Sequence, residues 1–314
     1  MKLIPWEKIL KEYAMNYAVV DLGSNTIRLC VYQYDGEGIK TIINQKETAG
    51  LASYVVDGAL QREGIERACE ILHVYGMVMD NFVEPENARI IATASLRNIV
   101  NSGEAAAAIE QKTGKRVHVL SGEEEAMLDF VGASYRLSCE NGLLIDIGGA
   151  STELVVFHNG RPELLTSMPI GSLSLYGRFV KGFFPNHRER KEIKKEVERH
   201  LTAIGWQTEG IPLMIGVGGT LKAAHKLSCA LYGIPSERKE LSACDIKALN
   251  AYFKEPDDML FHTVYKTVPE RALTIVPGLI LLYQAIRRFG CTAIRISEYG
   301  VREGYLLERV IKPE

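Results

Sequence analysis

"VVDLGSNTIRLCVYQYDG", residues 19–36, runs an apolar strand into Asp21, turns through Gly-Ser-Asn-Thr, resumes as a second apolar strand and closes on Asp-Gly. Residues 143–160, "LLIDIGGASTELVVFHNG", repeat that order: apolar strand, Asp146, a small-residue turn, apolar strand, Asn-Gly. The closing Asp-Gly and Asn-Gly pairs are strong hairpin-turn signals. With a one-residue gap after Ser24, Asp21 aligns with Asp146, Gly23 with Gly148 and Thr26 with Thr152. One such turn reads simply as a tight hairpin. A matched pair separated by a domain's length of chain predicts two related domains.

The stretches between the copies alternate. A helical period covers 64–82, a buried strand 88–95, a helix 102–114 with a Ser N-cap and Gly C-cap, and a strand 116–122. A helix follows at 123–137. Beyond the second copy come a charged helix at 187–205, then strand, glycine turn and helix over 212–227. Strand, loop and helix at 293–311 complete the chain. Hairpins combined with βα units predict an α/β fold of two domains around a cleft. The boundary is expected near the helix at 123–137, giving an N-terminal domain over 1–130 and a C-terminal domain over 131–300. Residues 1–14 read as an amphipathic appendage, Met15 being an equally good start.

The 314 residues are 46% hydrophobic and 24% charged, ordinary for a globular protein, and longer than a single core usually organises. A net charge of −2 gives no reason to expect nucleic acid or an anionic membrane as partner. The longest apolar stretch, residues 272–286, contains Pro277 and Gly278 and is too short to span a bilayer. Six scattered cysteines without a C-x-x-C pair read as reduced thiols, and no signal peptide opens the chain, so a cytoplasmic location is expected. The seven histidines lack metal-ligand spacing.

Three glycine turns stand at strand ends: 21–26, 146–152 and 216–220. Small residues at such turns bring backbone N–H groups within reach of a phosphate. The candidates are Gly23, Ser24, Asn25 and Thr26; Gly148, Gly149, Ala150 and Ser151; and Gly218, Gly219 and Thr220. Asp21 and Asp146 lead two of the turns with hard oxygen donors suited to Mg²⁺. Glu153, among apolar neighbours, is a third candidate donor, directly or through water; otherwise it is a solvent-side strand residue.

"VVDLGSNTIRL", "IIATASLRNIVN", "VLSGEEEA", "LLIDIGGASTEL", "IGVGGTLKAAH" and "EYGVREGYL", in order from residue 19 to 306, together resemble the exopolyphosphatase and guanosine pentaphosphatase phosphatase family. The resemblance implies the fold of actin and hexokinase, a ribonuclease H-like domain duplicated around an interdomain cleft, here in a short two-domain form. It also implies that helix 301–314 packs back on the N-terminal domain. The activity implied is release of terminal phosphate from polyphosphate or guanosine pentaphosphate with a divalent cation, by a homodimer. One departure is Ala150, where the family has a third glycine; its methyl would narrow the turn if the backbone there had positive φ.

The run "SGEEEA" offers three carboxylates. Ser121 and Glu124 form a capping-box pattern, Glu123 suits the helix dipole, and Glu125 points about 100° further round. By its residues alone Glu125 is a solvated first-turn acid; the resemblance aligns it with the glutamate that activates the attacking water. Arg97 is either a surface arginine starting a helix or, as the family's "TASLR" implies, a bidentate phosphate fork. Arg28 is a weaker candidate. Two other readings stand beside hydrolysis: a sugar- or acetate-kinase-like phosphotransferase on the same fold, and an alarmone-binding protein without turnover.

Overall fold

The computed structural model describes residues 14–208 and 210–311. The proposed appendage therefore lies, but for Ala14, outside the described residues. Two compact units divide the chain: one runs to Ser121 and includes Arg309–Ile311, the other is Gly122–Glu308.

The first unit is built on a five-stranded sheet. Strands β1 (Met15–Leu22), β2 (Thr26–Tyr34) and β3 (Ile39–Thr48) form an antiparallel meander. A small ribbon follows, β4 (Val55–Val56) and β5 (Ala59–Leu60), and then β6 (Ala88–Ala92) and β7 (Val117–Val119) run parallel to β1. The sheet order is β3-β2-β1-β6-β7. Helix α1 (Arg62–Phe82) lays Ala68, Ile71, Leu72, Tyr75 and Met79 on that sheet, the 3–4 spacing of an amphipathic helix. Tyr75 donates its buried hydroxyl to Ile27 O at 3.2 Å, so the largest side chain of that face leaves no orphan donor. The residues after β6 do not continue the strand: Ala94–Arg97 form the short helix α2, and α3 (Ser102–Thr113) follows. The N-cap of α3 is Asn101, one residue before the expected Ser102, while Gly114 closes it with φ 66° as expected.

The second unit repeats this plan. Its first helix is α4 (Gly122–Ser134), and its sheet begins with a meander of β8 (Gly142–Ile147), β9 (Thr152–His158) and β10 (Arg161–Met168). Strands β11 (Leu213–Val217) and β13 (Ala293–Ile296) run parallel to β8, and β12 (Glu240–Ser242) closes the edge antiparallel. The order is β10-β9-β8-β11-β13-β12. Meander first, then parallel strands on the far side of the meander's first strand, is the arrangement of both sheets.

Pairing also corrects the alignment of the two copies. Asp21 faces Arg28 across β1 and β2 with four residues turning between Leu22 and Ile27; Asp146 faces Glu153 across β8 and β9 with four between Ile147 and Thr152. The turns therefore match without a gap, Thr26 with Ser151 and Arg28 with Glu153, and the difference in length falls further along the second strand. Threonines at 26 and 152 had drawn the sequence match one residue out of register.

Alternating residues of the second sheet feed two cores. Leu143, Ile145 and Met214 face the helices α5 (Ser172–Phe179), α6 (His187–Ala203), α7 (Gly218–Tyr232), α8 (Ala243–Tyr252), α9 (Asp258–Thr267) and α10 (Ile275–Phe289). Leu144, Val155 and Ile215 face α4. The apolar stretch 272–286 is largely α10, buried along its length, and among the described residues no helix is long and apolar enough to cross a membrane.

Helix α4 belongs to the second unit throughout, whereas the sequence reading divided it at residue 130. Helix α11 (Val301–Tyr305) packs on α4, so residues 301–308 also belong to the second unit, and of the described residues beyond them Arg309–Ile311 join the first. Glycine explains the closeness: a β-carbon at Gly132 would strike the Gly300 carbonyl, and one at Gly304 the Leu128 carbonyl.

Candidate functional site

In the first unit the turn 23–26 is held from both sides. Gly23 N donates to Thr26 O at 3.1 Å, and the Asn25 carbonyl accepts from Ala49 N and Gly50 N. A β-carbon at Gly23 would lie 2.9 Å from Thr26 O, which is why the turn needs glycine there. Leu22 pairs with Ala92 on parallel β6, and Ser95 of α2 donates its hydroxyl to Leu22 O, so α2 sits at the same strand ends as the turn. Arg97 is half-buried there and donates to Leu120 O at 3.3 Å. C-terminal ends of parallel strands are where α/β folds gather ligands.

In the second unit Gly148 N donates to Ser151 O at 3.0 Å, and the Gly148 and Gly149 carbonyls receive the amides of Ser172, Leu173 and Ser174 at the start of α5. Ser151 is buried. Ala150 is absent from the residues with positive φ, so its methyl costs no backbone strain and the condition under which it would narrow the turn is not met. The third turn differs: Gly218 has φ +81° and opens α7, whose first amides have no intrahelical acceptor. A β-carbon at Gly219 would lie 2.7 Å from the Arg271 Cζ, so that guanidinium lies on the helix start. Thr220 is buried and donates its hydroxyl to Ile147 O at 2.8 Å, tying the third turn to the end of β8.

Beside the second unit's turns lies a concentration of acid. Asp146 and Glu153 face each other across β8 and β9, a like-charge pair that sheets ordinarily avoid. In the first unit the matching pair is Asp21 with Arg28, where the opposite charge offsets the acid. Glu153 is 1% exposed and accepts from the Ser167 hydroxyl at 2.7 Å. Helix α4 adds Glu125 and, one turn on, Asp129, on the helix face turned to the core. Of the three consecutive glutamates Glu123 is exposed, Glu124 intermediate and Glu125 buried at 8% exposure, which sets Glu125 apart from its neighbours.

Asp129 is fully buried. The Val301 N–H favours its ionised form, yet neither carboxyl oxygen makes a hydrogen bond of ordinary geometry. Burial first, then the charges of Asp146, Glu153 and Glu125, push its carboxyl well above the usual carboxylate range.

Among the described residues no group of three or more Asp, Glu, His or Cys side chains converges closely enough to hold a metal ion. Mg²⁺ asks for less, one or two carboxylates with water and substrate oxygens completing its shell. The facing pair Asp146 and Glu153 fits that demand in donor type.

Asp129 and Arg271 escaped the sequence reading. Asp129 carried a signal, its i,i+4 spacing from Glu125 within an otherwise apolar run. Arg271 carried none, because the short helical turn Pro269–Arg271 reaches the third glycine turn only through the tertiary fold.

Paired sheets of one plan, each with a glycine turn between its first two strands, define an actin- and hexokinase-like α/β protein. The chain belongs to the Ppx/GppA phosphatase family, whose sequence pattern matches residues 30–312. A guanosine-5'-triphosphate,3'-diphosphate pyrophosphatase of Vibrio cholerae is 26% identical over 303 residues, covering 94% of this chain and 59% of the relative. The chain thus spans about three-fifths of that curated relative. The crystal structure of the Aquifex aeolicus family member superimposes with a TM-score of 0.79 at 26% identity, covering 96% of this chain and 99% of that one. An exopolyphosphatase from Cytophaga hutchinsonii, at 22% identity and a TM-score of 0.81 over 93% of this chain and 97% of its own, shares the fold.

Proposed function

We propose that this protein hydrolyses phosphoanhydrides, releasing terminal phosphate from inorganic polyphosphate or guanosine pentaphosphate. The observation that carries the reading is the buried Glu125 at the start of α4, beside an acidic pair and a glycine-led helix start with an arginine on it. Phosphoryl transfer asks for positioning, charge neutralisation and a group to orient the attacking water. Glu125 is the base toward that water. Backbone amides at the start of α7, with Arg271, hold phosphoryl oxygens; Gly218, Gly219 and Thr220 supply this turn, and Gly148–Ser151 the one before it. Asp146 and Glu153 would hold Mg²⁺ in the second unit, and the ion would supply neutralisation of phosphate charge; Asp21 is the candidate donor of the first unit. Arg97 and the turn Gly23–Thr26 are phosphate contacts of the first unit. A homodimer in the cytoplasm belongs to the same reading.

The test is phosphate release from polyphosphate and from guanosine pentaphosphate with Mg²⁺, for the wild type and for Glu125→Gln. The expected loss is about 10²- to 10⁴-fold in rate with the fold retained. Full activity in Glu125→Gln, while Glu153→Gln is inactive, would move the base to Glu153. Transfer to a sugar or acetate in place of release would establish a phosphotransferase, and binding without either would leave an alarmone-binding protein.

A further inference from the structure

The second unit contains a cation-rich hollow that shares no residue with the glycine turns or the acidic centre. It encloses about 580 Å³. Arg136, just beyond the end of α4, lines one side; Arg238, Lys239 and Glu240, leading into β12, line another; Arg295 of β13 and the loop through Glu298 and Tyr299 complete it. Four cations thus stand against two acids, in a chain whose net charge is −2.

The two acids do not absorb that excess. Arg295 lies 3.6 Å from Glu240 and Lys239 lies 3.7 Å from Glu298, long contacts between partly exposed groups that contribute little. Arg136 and Arg238 have no acidic partner among the described residues. Yet Arg136 is not loose. Its guanidinium lies 5.2 Å from the Tyr135 ring centre and 5.9 Å from that of Tyr299, while the two rings are 6.0 Å apart. Such contacts orient a guanidinium without neutralising it. Arg295 is likewise fixed, by a 3.1 Å contact from its guanidinium to Cys139 Sγ. Pre-ordered arginines with spare donors around a hollow are what recognition of phosphoryl oxygens requires.

We propose that this hollow is an accessory binding site for a multiply charged phosphate, a run of linked phosphoryl groups gripped by Arg136, Arg238, Lys239 and Arg295. Its occupant is held there and not hydrolysed, since no acid–base pair of the kind built around Glu125 lines it. A linear polyphosphate chain and the phosphate tail of a nucleotide both present this chemistry.

Binding of tripolyphosphate and, separately, of GTP is measured by titration calorimetry in chelator, so that turnover does not intervene. Arg136→Ala/Arg238→Ala is expected to lose one tripolyphosphate site per chain, or to weaken it about a hundredfold or more, the cost of two charge-assisted contacts. Arg136→Lys/Arg238→Lys, which keeps the charge but not the planar fork, is expected to bind more tightly than the alanine pair and more weakly than the wild type. Tripolyphosphate alone would assign the site to a linear chain, and both ligands to phosphate groups in general; either supports the proposal. GTP binding with no tripolyphosphate binding would overturn it, as would unchanged stoichiometry and affinity in the alanine variant, or no binding by the wild type. Phosphate release is assayed independently, so failure of the hydrolytic reading leaves this result standing.

Discussion

The Asp146 carboxylate packs against the α-carbon of Gly218: a β-carbon there would lie 2.9 Å from Asp146 Cγ and nearer still to an oxygen. Val217 and Asp146 are paired across parallel strands, so neither backbone can retreat. Gly218 also has φ +81°. Gly218→Ala is therefore expected to cost about 1–3 kcal/mol in urea unfolding and to lower phosphate release by displacing Asp146. Unchanged stability and rate would show that turn and carboxylate are less tightly joined than they stand here.

Gly219→Ala has a different consequence, because its β-carbon meets the far end of the flexible Arg271. The guanidinium swings away at little cost to stability, and the substrate's KM rises. Arg271→Ala should reproduce that rise, on the scale of a lost charge-assisted contact, about 1.5–3 kcal/mol. Arg97→Ala should act comparably from the first unit. A normal KM in steady-state kinetics with each substrate would return either arginine to a purely structural role.

Asp129 gives stability a pH dependence of defined sign. Its folded-state pKa is raised, by burial first and by Asp146, Glu153 and Glu125 next, so the folded protein binds that proton more tightly than the unfolded chain. The stability associated with it is fully present below the unfolded value and is lost as pH rises through the folded one. Asp129→Asn removes this slope and should raise the melting temperature in chelator at neutral pH, by a few degrees for about 1 kcal/mol. Thermal melts from pH 4 to 8 decide it; a parallel wild-type and variant profile would count against the assignment.

Glu196 acts in the opposite direction. Hydrogen bonding from Arg199 first, and from Arg178, holds its carboxyl down to about 2 despite the opposing effect of burial. Distances of 3.0 Å to Arg199 and 2.9 Å to Arg178 support it. The stability is present above the unfolded value, near 4.5, and is lost as pH falls toward 2. Both arginines are more than half exposed, so Glu196→Gln should cost only about 1 kcal/mol near neutrality and nothing below pH 2. Equal destabilisation at both ends of an acid titration followed by circular dichroism would contradict this.

The hairpins were legible because their strands announce themselves locally: apolar runs, small turn residues, and Asp35-Gly36 and Asn159-Gly160 at the ends. Register was less so, since Thr26 and Thr152 match by identity while the turns match by length. Burial separated Glu125 from Glu123 and Glu124 along the lines that helix geometry implied. What eluded the sequence was joined at a distance. Arg271 meets Gly219 only after some fifty residues have folded into place, and Asp129 looked like one polar position in the apolar face of a helix. The sequence placed the division at residue 130 and not after Ser121, because a helix read alone does not say which sheet it covers.

The close approach of Gly132 to Gly300 and of Gly304 to Leu128 places a condition on the order in which the protein is made. Helix α4, carrying Glu125 and Asp129, leaves the ribosome long before α11, on the order of ten to thirty seconds at ordinary elongation rates. Until Gly304 arrives, that face of α4 has no cover, and the acids opposite Asp146 and Glu153 have no fixed position. The nascent chain thus carries Glu125 in an unfinished setting until α11 has been made. The acidic centre is completed late and at once, with the closing turn of the second unit.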